Sequence, residues 1–266
     1  MTTTNEETMA SQDPGSPSIK RAVGLKVGSL TDVGRVREIN QDSLTADPER
    51  GLFIVADGMG GHLAGEKASL SAVETIGELL TCEAIDQAPN GDLLGVIQEA
   101  IQAANRIIVQ ASLQDASMRG MGTTATLAVT TESGVYLGHI GDSRAYLMTS
   151  EAIEQVTEDH SVVAQLLRAR AITPQEAQRH PYRNVITKCL GMQMEVEADT
   201  RLVAWNQGDR LLLCSDGLSG LVGDEEMLQI ATEIPDPQAA CERLVALANE
   251  RGGYDNITVI LLQNAV

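Results

Sequence analysis

Residues 51–68 read GLFIVADGMGGHLAGEKA, and this stretch passes from an apolar run to an acid, then to glycines, then to a helical pattern. The run at 52–56 predicts a buried strand, with Asp57 at its end. Gly58, Gly60 and Gly61 allow the backbone to turn and bring carbonyl groups close to whatever Asp57 binds. A carboxylate beside exposed backbone oxygens suits a hard cation, although an ordinary turn with an Asp is the better explanation of this stretch taken alone.

The composition indicates a globular protein with an aliphatic core. The chain has 266 residues, 43% of them hydrophobic but only 2% aromatic, so Phe53 and Trp205 should be isolated large pieces in a core of Leu, Val, Ile and Ala. We expect a polar tail over residues 1–20 and a single domain over 21–266. The four cysteines form no CxxC pair and are expected to be core thiols.

Charge and hydropathy limit the kinds of partner that we expect. The formal charge of −18 makes nucleic acids and anionic membranes unlikely partners, because both would be repelled. No apolar run approaches the roughly 18 residues that span a bilayer, and the first residues lack the order of a signal peptide. We therefore expect a cytoplasmic protein with no membrane contact.

Periodicity orders the elements along the chain. Alternation at Val23, Leu25 and Val27 predicts a first strand, and a second follows at 43–46. Helical spacing then predicts one helix from Ala68 and a longer one from Asp92. The β-rich runs at 123–131, 135–140 and 144–148 indicate an antiparallel meander rather than alternating βαβ units.

The last third of the chain mixes helices and strands. Residues 158–190 are expected to form an inserted helical flap, in which Thr173, Pro174 and Glu176 make a capping box with a first-turn proline. A buried strand at 209–215, helices from Asp224 and Asp236, and a final strand at 257–262 complete the pattern.

Four acids share one arrangement: Asp57, Asp142 and Asp216 follow apolar strands, and Asp255 directly precedes one. If the strand ends converge, the carboxylates would repel one another unless cations neutralise them. An all-oxygen set selects Mg²⁺ or Mn²⁺ over zinc. Two such ions about 3.5–4 Å apart would activate a bridging water for attack on phosphorus, whereas each acid taken singly is better explained as a turn residue.

A polar motif at residues 31–42 adds a candidate phosphate ligand. Arg37 offers a planar fork of donors to phosphate oxygens in an acidic chain, and the alternative is an ordinary surface arginine.

Six ordered motifs closely resemble the metal-dependent protein serine/threonine phosphatases of type 2C, in their bacterial form. They are T-D-x-G-x-x-R-x-x-N-Q-D at 31–42, A-D-G-M-G-G-H-x-A-G-E at 56–66, G-T-T-A at 122–125, G-D-S-R at 141–144, S-D-G at 215–217 and G-x-x-D-N-I-T at 252–258. The resemblance covers about residues 21–264. It implies an α+β fold, a four-layer α-β-β-α sandwich with two central, mainly antiparallel sheets and a helical flap.

The resemblance also implies roles at the site. Asp57 would bridge two Mn²⁺ or Mg²⁺ ions, the Gly58 carbonyl would bind one of them, and Asp216 and Asp255 would complete the other. A weaker third site would use Asp142 with Asp216.

The remaining implied roles concern the substrate. Asp42 would act through metal-bound water, Arg37 would clamp the phosphate, and a metal-bridging hydroxide would attack phosphorus in line without a covalent intermediate. The substrates would be phosphoserine and phosphothreonine proteins of a serine/threonine kinase, and the protein would be a monomer. The acidic surface favours basic or neutral phosphosites.

Two positions depart from the family pattern. Met59 stands where eukaryotic members place a histidine that protonates the leaving group, so His62 or a metal-bound water is the expected replacement. Lys188 stands where relatives often have arginine. A non-catalytic phosphatase-like binding module is the alternative function, and a dinucleotide site is not supported because Leu63 occupies the third glycine position of its fingerprint.

Overall fold

The computed structural model describes residues 19–22, 24–61 and 63–265, which form eleven strands and eight α-helices. The strands are β1 Leu25–Asp32, β2 Asp42–Asp47, β3 Leu52–Met59, β4 Gly122–Thr123, β5 Ala125–Thr131, β6 Gly134–Ile140, β7 Arg144–Met148, β8 Ile153–Gln155, β9 Asp199–Val203, β10 Arg210–Cys214 and β11 Ile257–Asn264. The helices are α1 Ala64–Leu79, α2 Cys82–Asp86, α3 Leu93–Gln114, α4 Val162–Arg168, α5 Pro174–Gln178, α6 Asp216–Ser219, α7 Asp224–Glu233 and α8 Pro237–Glu250.

The strands pair into two antiparallel sheets. One has the order β1-β11-β10-β7-β8, and the other has the order β2-β3-β5-β6-β9, with β4 paired to the end of β3. The sheets pack face to face through a core that includes Phe53, Val55, Leu213, Ile260 and Trp205. Phe53 and Trp205 therefore lie in the same inter-sheet layer, as large aromatic side chains among aliphatic residues.

Helices cover the outer face of each sheet. Successive strand residues point to opposite faces, so Leu52, Ile54 and Ala56 of β3 pack with α1 and α3 while Phe53 and Val55 face the other sheet. Helices α7 and α8 cover the second sheet through a separate apolar cluster. The four-layer α-β-β-α sandwich implied by the family resemblance is confirmed.

The predicted meander is wrong. Strands β5 and β6 form a hairpin, but β6 next pairs with β9, while β7 pairs with β10 in the opposite sheet. The chain crosses between the sheets at residues 141–143. The run at 123–131 also divides in two, because Thr124 leaves the ladder between β4 and β5.

The strand predicted to end before Asp57 continues to Met59. The reason is β4, which pairs Thr123 with Gly58 and Gly122 with Met59 and so keeps that end of β3 extended. Strands β8 and β9 were not predicted, because both are short strands at sheet edges, where partly exposed polar residues give no strong alternation. The five-residue helix α2 was not predicted either.

The flap contains helices α4 and α5. As predicted, the Thr173 hydroxyl accepts from the Glu176 N–H at 3.3 Å, while the Glu176 carboxylate accepts from the Thr173 N–H at 2.7 Å. Its two ends meet where Ser161 bridges Ile186.

Three further predictions concern the tail, the cysteines and the membrane. Most of the predicted tail and Val23 lie outside the described residues. Cys189, Cys214 and Cys241 are buried free thiols, as predicted, but Cys82 is half-buried and its sulfur accepts a hydrogen bond from Arg21. The helices of the described ranges are all too short or too polar to cross a bilayer.

Candidate metal and phosphate site

The first pair of acids meets between β2 and β3. Asp42 and Asp57 are directly opposite each other in the antiparallel register. The Thr124 hydroxyl accepts from the Asp57 N–H at 2.8 Å, and the Asp57 carbonyl accepts from the Thr124 N–H and the Thr123 hydroxyl, each at 2.9 Å. The G-T-T-A motif thus fixes the backbone that carries Asp57.

The second sheet contributes Asp216 and Asp255. Asp216 begins α6 two residues after the end of β10, and Asp255 lies two residues before β11, the strand paired with β10. The Ser215 hydroxyl donates to the Asp42 carboxylate at 2.8 Å and accepts from the Thr258 N–H at 3.0 Å. This serine therefore joins the acids of the two sheets.

Asp142 lies in the segment that crosses between the sheets. Gly141 before it has a φ of +115°, a conformation that residues with a Cβ rarely adopt. Ser143 after it is anchored by a hydroxyl contact of 2.8 Å to Thr124. The same threonine thus positions both Asp57 and the Asp142 loop.

The electrostatics show that the structure brings these carboxylates together. Burial raises the pKa of Asp57 well above its ordinary value, and the charges of Asp42, Asp216, Asp142 and Asp255 raise it further. Burial likewise raises the pKa of Asp42 to about 7.

The other two buried acids behave in the same way. Burial, followed by the charge of Asp216, raises the pKa of Asp142 to about 7. Burial, followed by the charge of Asp255, raises the pKa of Asp216. In all four buried acids the charged form is therefore less favourable than in an exposed aspartate, and a bound cation would offset that cost.

The donor set fits a hard divalent cation. Asp42 Oδ1 and Asp216 Oδ1 are buried without a hydrogen-bond partner, and buried carboxylate oxygens are normally hydrogen-bonded or bound to metal. Within the described ranges, no three or more His, Cys, Asp and Glu side chains are placed so that they alone could hold a metal ion, so backbone carbonyls and water would have to complete any site. The fit rests on the oxygen chemistry, the raised pKa values and the two unpartnered oxygens.

Gly58 follows Asp57 on β3, where no larger residue fits. A Cβ at this position would collide with the backbone carbonyls of Gln41 and Gly65. The close packing explains why glycine is needed here whether or not its carbonyl binds a metal.

Arg37 lies at the edge of the acid cluster, which we define as Asp42, Asp57, Asp142, Asp216 and Asp255. Its Nη2 donates to Asp255 Oδ2 at 2.7 Å, and about half of its side chain is exposed. Asn256 holds the loop that carries Arg37, since its side-chain amide donates to the carbonyls of Val33 and Ile39 and its Oδ1 accepts from the Gln41 N–H at 2.8 Å. Arg37 thus has further donors to offer beside the acids.

His62 lies outside the described residues, so its predicted role stays a prediction. Met59 ends β3 beside the glycines, as the sequence suggested. Lys188 Nζ is 4.0 Å from Asp199, near the return of the flap.

A pair of stacked histidines that was not predicted from the sequence lies behind the Asp142 loop. His139 and His160 have ring centroids 5.0 Å apart, and His160 Nδ1 accepts from the Gly141 N–H at 3.0 Å. Asp159, beside His160, forms an ion pair with Arg144 at 2.7 Å. The polar run TEDH at 157–160, at the start of the predicted flap, is the sequence feature that could have indicated this pair.

We predict that His139 makes stability depend on pH. Burial and the neighbouring His160 lower the pKa of His139 to about 4 from an ordinary 6.5, and its neutral ring donates to the Glu158 carbonyl at 3.1 Å. Between these pH values the unfolded chain binds a proton at this position that the folded chain does not, so the contribution of His139 to stability falls as pH falls, by about 3 kcal/mol.

The measurement is denaturant unfolding of the parent and His139→Gln from pH 7 to pH 4. Glutamine does not titrate, so the difference in unfolding free energy between the two proteins should change with pH. A difference that is constant over this window would contradict the prediction.

Comparisons with known proteins agree with this geometry. The family model "Protein phosphatase 2C" matches residues 34–264. The serine/threonine phosphatase stp of Listeria monocytogenes serotype 4b (strain F2365) is 38% identical over 243 residues, covering 88% of this chain and 93% of the relative.

Two solved structures are similar over nearly their whole length. The serine/threonine phosphatase PstP/Ppp of Mycobacterium tuberculosis has a TM-score of 0.82 and 39% identity, covering 90% of this chain and 98% of that one. The catalytic domain of PstP in complex with two manganese ions has a TM-score of 0.80 and 38% identity, and the match covers 90% of this chain and 97% of that one.

Proposed function

This chain belongs to the protein phosphatase 2C family, and we propose from that premise that it hydrolyses phosphoserine and phosphothreonine in proteins with Mn²⁺ or Mg²⁺. The observation that carries the proposal is the convergence of buried carboxylates from both sheets, with raised pKa values and two unpartnered oxygens. Such a cluster is costly without cations, and cations beside it would attract a phosphate that the acidic chain otherwise repels.

The proposed ligands follow from the motifs and the register. Asp57 would be shared by two ions, the Gly58 carbonyl would bind one, and Asp216 and Asp255 would bind the other. Asp142 would join Asp216 in a weaker third site. When bound, the ions would supply an activated water as nucleophile and neutralise charge on the phosphate, with no covalent intermediate.

The side chains of the protein have distinct tasks in this proposal. Asp42 accepts from Ser215 through Oδ2, which leaves Oδ1 free to orient water within the site. Arg37 uses one of its donors on Asp255, and the rest of its fork would bind phosphate oxygens bidentately. His62 would donate the proton to the leaving alkoxide.

We predict that Arg37→Gln lowers kcat/KM for a phosphothreonine peptide by about 10- to 100-fold, mostly through KM, because charged hydrogen bonds to phosphate are lost. Arg37→Lys should recover only part, since a lysine keeps the charge but lacks the planar fork. Steady-state kinetics in Mn²⁺ measure both effects.

Arg35→Gln is the matched control for this prediction. Arg35 is an exposed arginine of the same loop and forms no ion pair with any described residue. Equal losses in Arg35→Gln and Arg37→Gln would assign the effect to local charge and not to a phosphate clamp.

The proposed function is tested by hydrolysis of a phosphothreonine peptide in Mn²⁺, Mg²⁺, Ca²⁺ and chelator, with His62→Ala beside the parent. We expect turnover in Mn²⁺ and Mg²⁺ only. The loss of turnover in His62→Ala measures how much His62 contributes as the general acid. A folded protein that is inert in every ion would refute the enzyme and favour the non-catalytic binding module.

We further propose a single domain from residue 21 that acts as a monomer in the cytoplasm, on proteins phosphorylated by a serine/threonine kinase. The four free thiols support a reducing compartment. The family match over residues 34–264 supports one domain.

A further inference from the structure

The outer flap, which we define as residues 161–190, carries charge opposite to that of the rest of the chain. It holds five of the 19 basic residues and only one of the 37 acidic residues, in a protein with a formal charge of −18. The basic residues are Arg168, Arg170, Arg179, Arg183 and Lys188. A local inversion of this size needs a physical reason.

Most of this positive charge is not neutralised within the described residues. The one acid, Glu176, is engaged in the capping box with Thr173. Arg168 pairs with Glu158 and Lys188 lies 4.0 Å from Asp199.

The other three basic residues are exposed and form no ion pair with the part of the chain that the structure describes. Arg170, Arg179 and Arg183 also form no side-chain hydrogen bond to any residue that the structure describes. Their guanidinium groups are therefore available to a ligand.

The outer flap is attached directly to the acid cluster. At its start, the His160 N–H donates to the Gly141 carbonyl at 2.7 Å, next to Asp142. At its end, Leu190 exchanges backbone hydrogen bonds with Thr123, whose hydroxyl binds the Asp57 backbone. Both ends of the outer flap are thus fixed to the backbone that carries the acids.

We propose, on the basis of the phosphatase activity proposed above, that the outer flap binds an acidic segment flanking the phosphorylated residue of the substrate. The overall charge pointed instead to basic or neutral phosphosites. The local charge of the outer flap, however, determines which peptide it attracts, because salt screening limits the range of surface electrostatic interactions to about 10 Å at 0.1 M salt. An exposed arginine fork is also well suited to carboxylates.

A short acidic peptide fits the charge distribution better than a nucleic acid. A long polyanion would extend beyond the outer flap and meet the other acidic residues of the chain, which repel it. A peptide of several residues can contact the arginines alone. Tyr182, which is 59% exposed and lies between Arg179 and Arg183 in sequence, adds an aromatic contact of the kind enriched at interfaces.

The test compares phosphothreonine peptides with acidic, neutral and basic flanks against a small aryl phosphate, all in Mn²⁺. The acidic peptide should have a kcat/KM about tenfold above that of the neutral peptide, through a lower KM, and high salt should remove the difference. The same acidic preference should appear in peptide binding measured by fluorescence anisotropy.

The variant Arg179→Gln/Arg183→Gln should lose most of this preference. Its matched control, Lys26→Gln/Arg106→Gln, removes two exposed and unpaired charges of the described residues outside the flap and should keep the preference. A fall in peptide turnover relative to aryl phosphate turnover indicates lost docking on the outer flap. An equal fall in both indicates damage to the catalytic site.

Equal kcat/KM for all three peptides, or a preference that survives in the flap variant, would overturn the proposal. So would an oligonucleotide that displaces the acidic peptide at equal concentration. If neither peptide nor aryl phosphate is hydrolysed, the phosphatase activity has failed, and the anisotropy measurement still decides whether the outer flap binds acidic peptides.

Discussion

Asp216→Ala is expected to lower Mn²⁺-dependent kcat/KM for a phosphothreonine peptide by about 10³-fold or more. Loss of a residue that only orients a metal ligand costs about 10- to 100-fold, and Asp216 would itself bind the metal. It lies among Asp57, Asp42 and Asp255, and its Oδ1 is buried without a partner. Steady-state kinetics over a range of Mn²⁺ concentrations measure the loss.

A second measurement separates metal binding from folding. Mn²⁺ should raise the Tm of the parent, because a ligand that binds only the folded state stabilises it, and this rise should shrink in Asp216→Ala. The metal-free variant should be at least as stable as the metal-free parent, since burial raises the pKa of the carboxyl that it lacks.

The control for this variant is Asp224→Ala. Asp224 is an exposed acid in the first turn of α7, so the same substitution there removes one carboxyl without touching the cluster. Full activity in Asp216→Ala, or an unchanged rise in Tm with Mn²⁺, would refute its role as a metal ligand.

Phe53→Ala is expected to lower the free energy of unfolding by about 3–5 kcal/mol, the usual cost of such a cavity. Phe53 is the only phenylalanine of the chain, is fully buried, and lies between the two sheets that carry the acids. Denaturant unfolding in chelator measures the loss without a contribution from metal binding.

Phe53→Leu is the matched control, because it keeps most of the volume and should cost less than about 1.5 kcal/mol. A loss below about 1 kcal/mol for Phe53→Ala would mean that the inter-sheet layer does not depend on this ring.

Local patterns predicted the individual elements well. The long helix α3, the buried strand β10 and the capping box of α5 were all predicted from residues close together in sequence. Periodic burial and capping involve neighbours within a few positions, so the signal is complete in the sequence. Edge strands such as β9 lack that signal because their burial on one face comes from distant parts of the chain.

The six motifs, by their residues and their order along the chain, were enough to indicate the family. The grouping of acids at strand ends likewise pointed to a cation site. What the sequence could not decide was how the strand ends meet. The pairing of Asp42 with Asp57 depends on the register of β2 and β3, and the Ser215 bond to Asp42 joins positions 173 residues apart.

The sequence by itself therefore determined most of the elements, the overall charge and the candidate site residues, since these depend on residue type and local spacing. Only the tertiary structure decided that β6 and β7 belong to different sheets and that four buried carboxyls have raised pKa values. The physical reason is that strand pairing and desolvation depend on contacts between segments far apart in the chain, which no local pattern encodes.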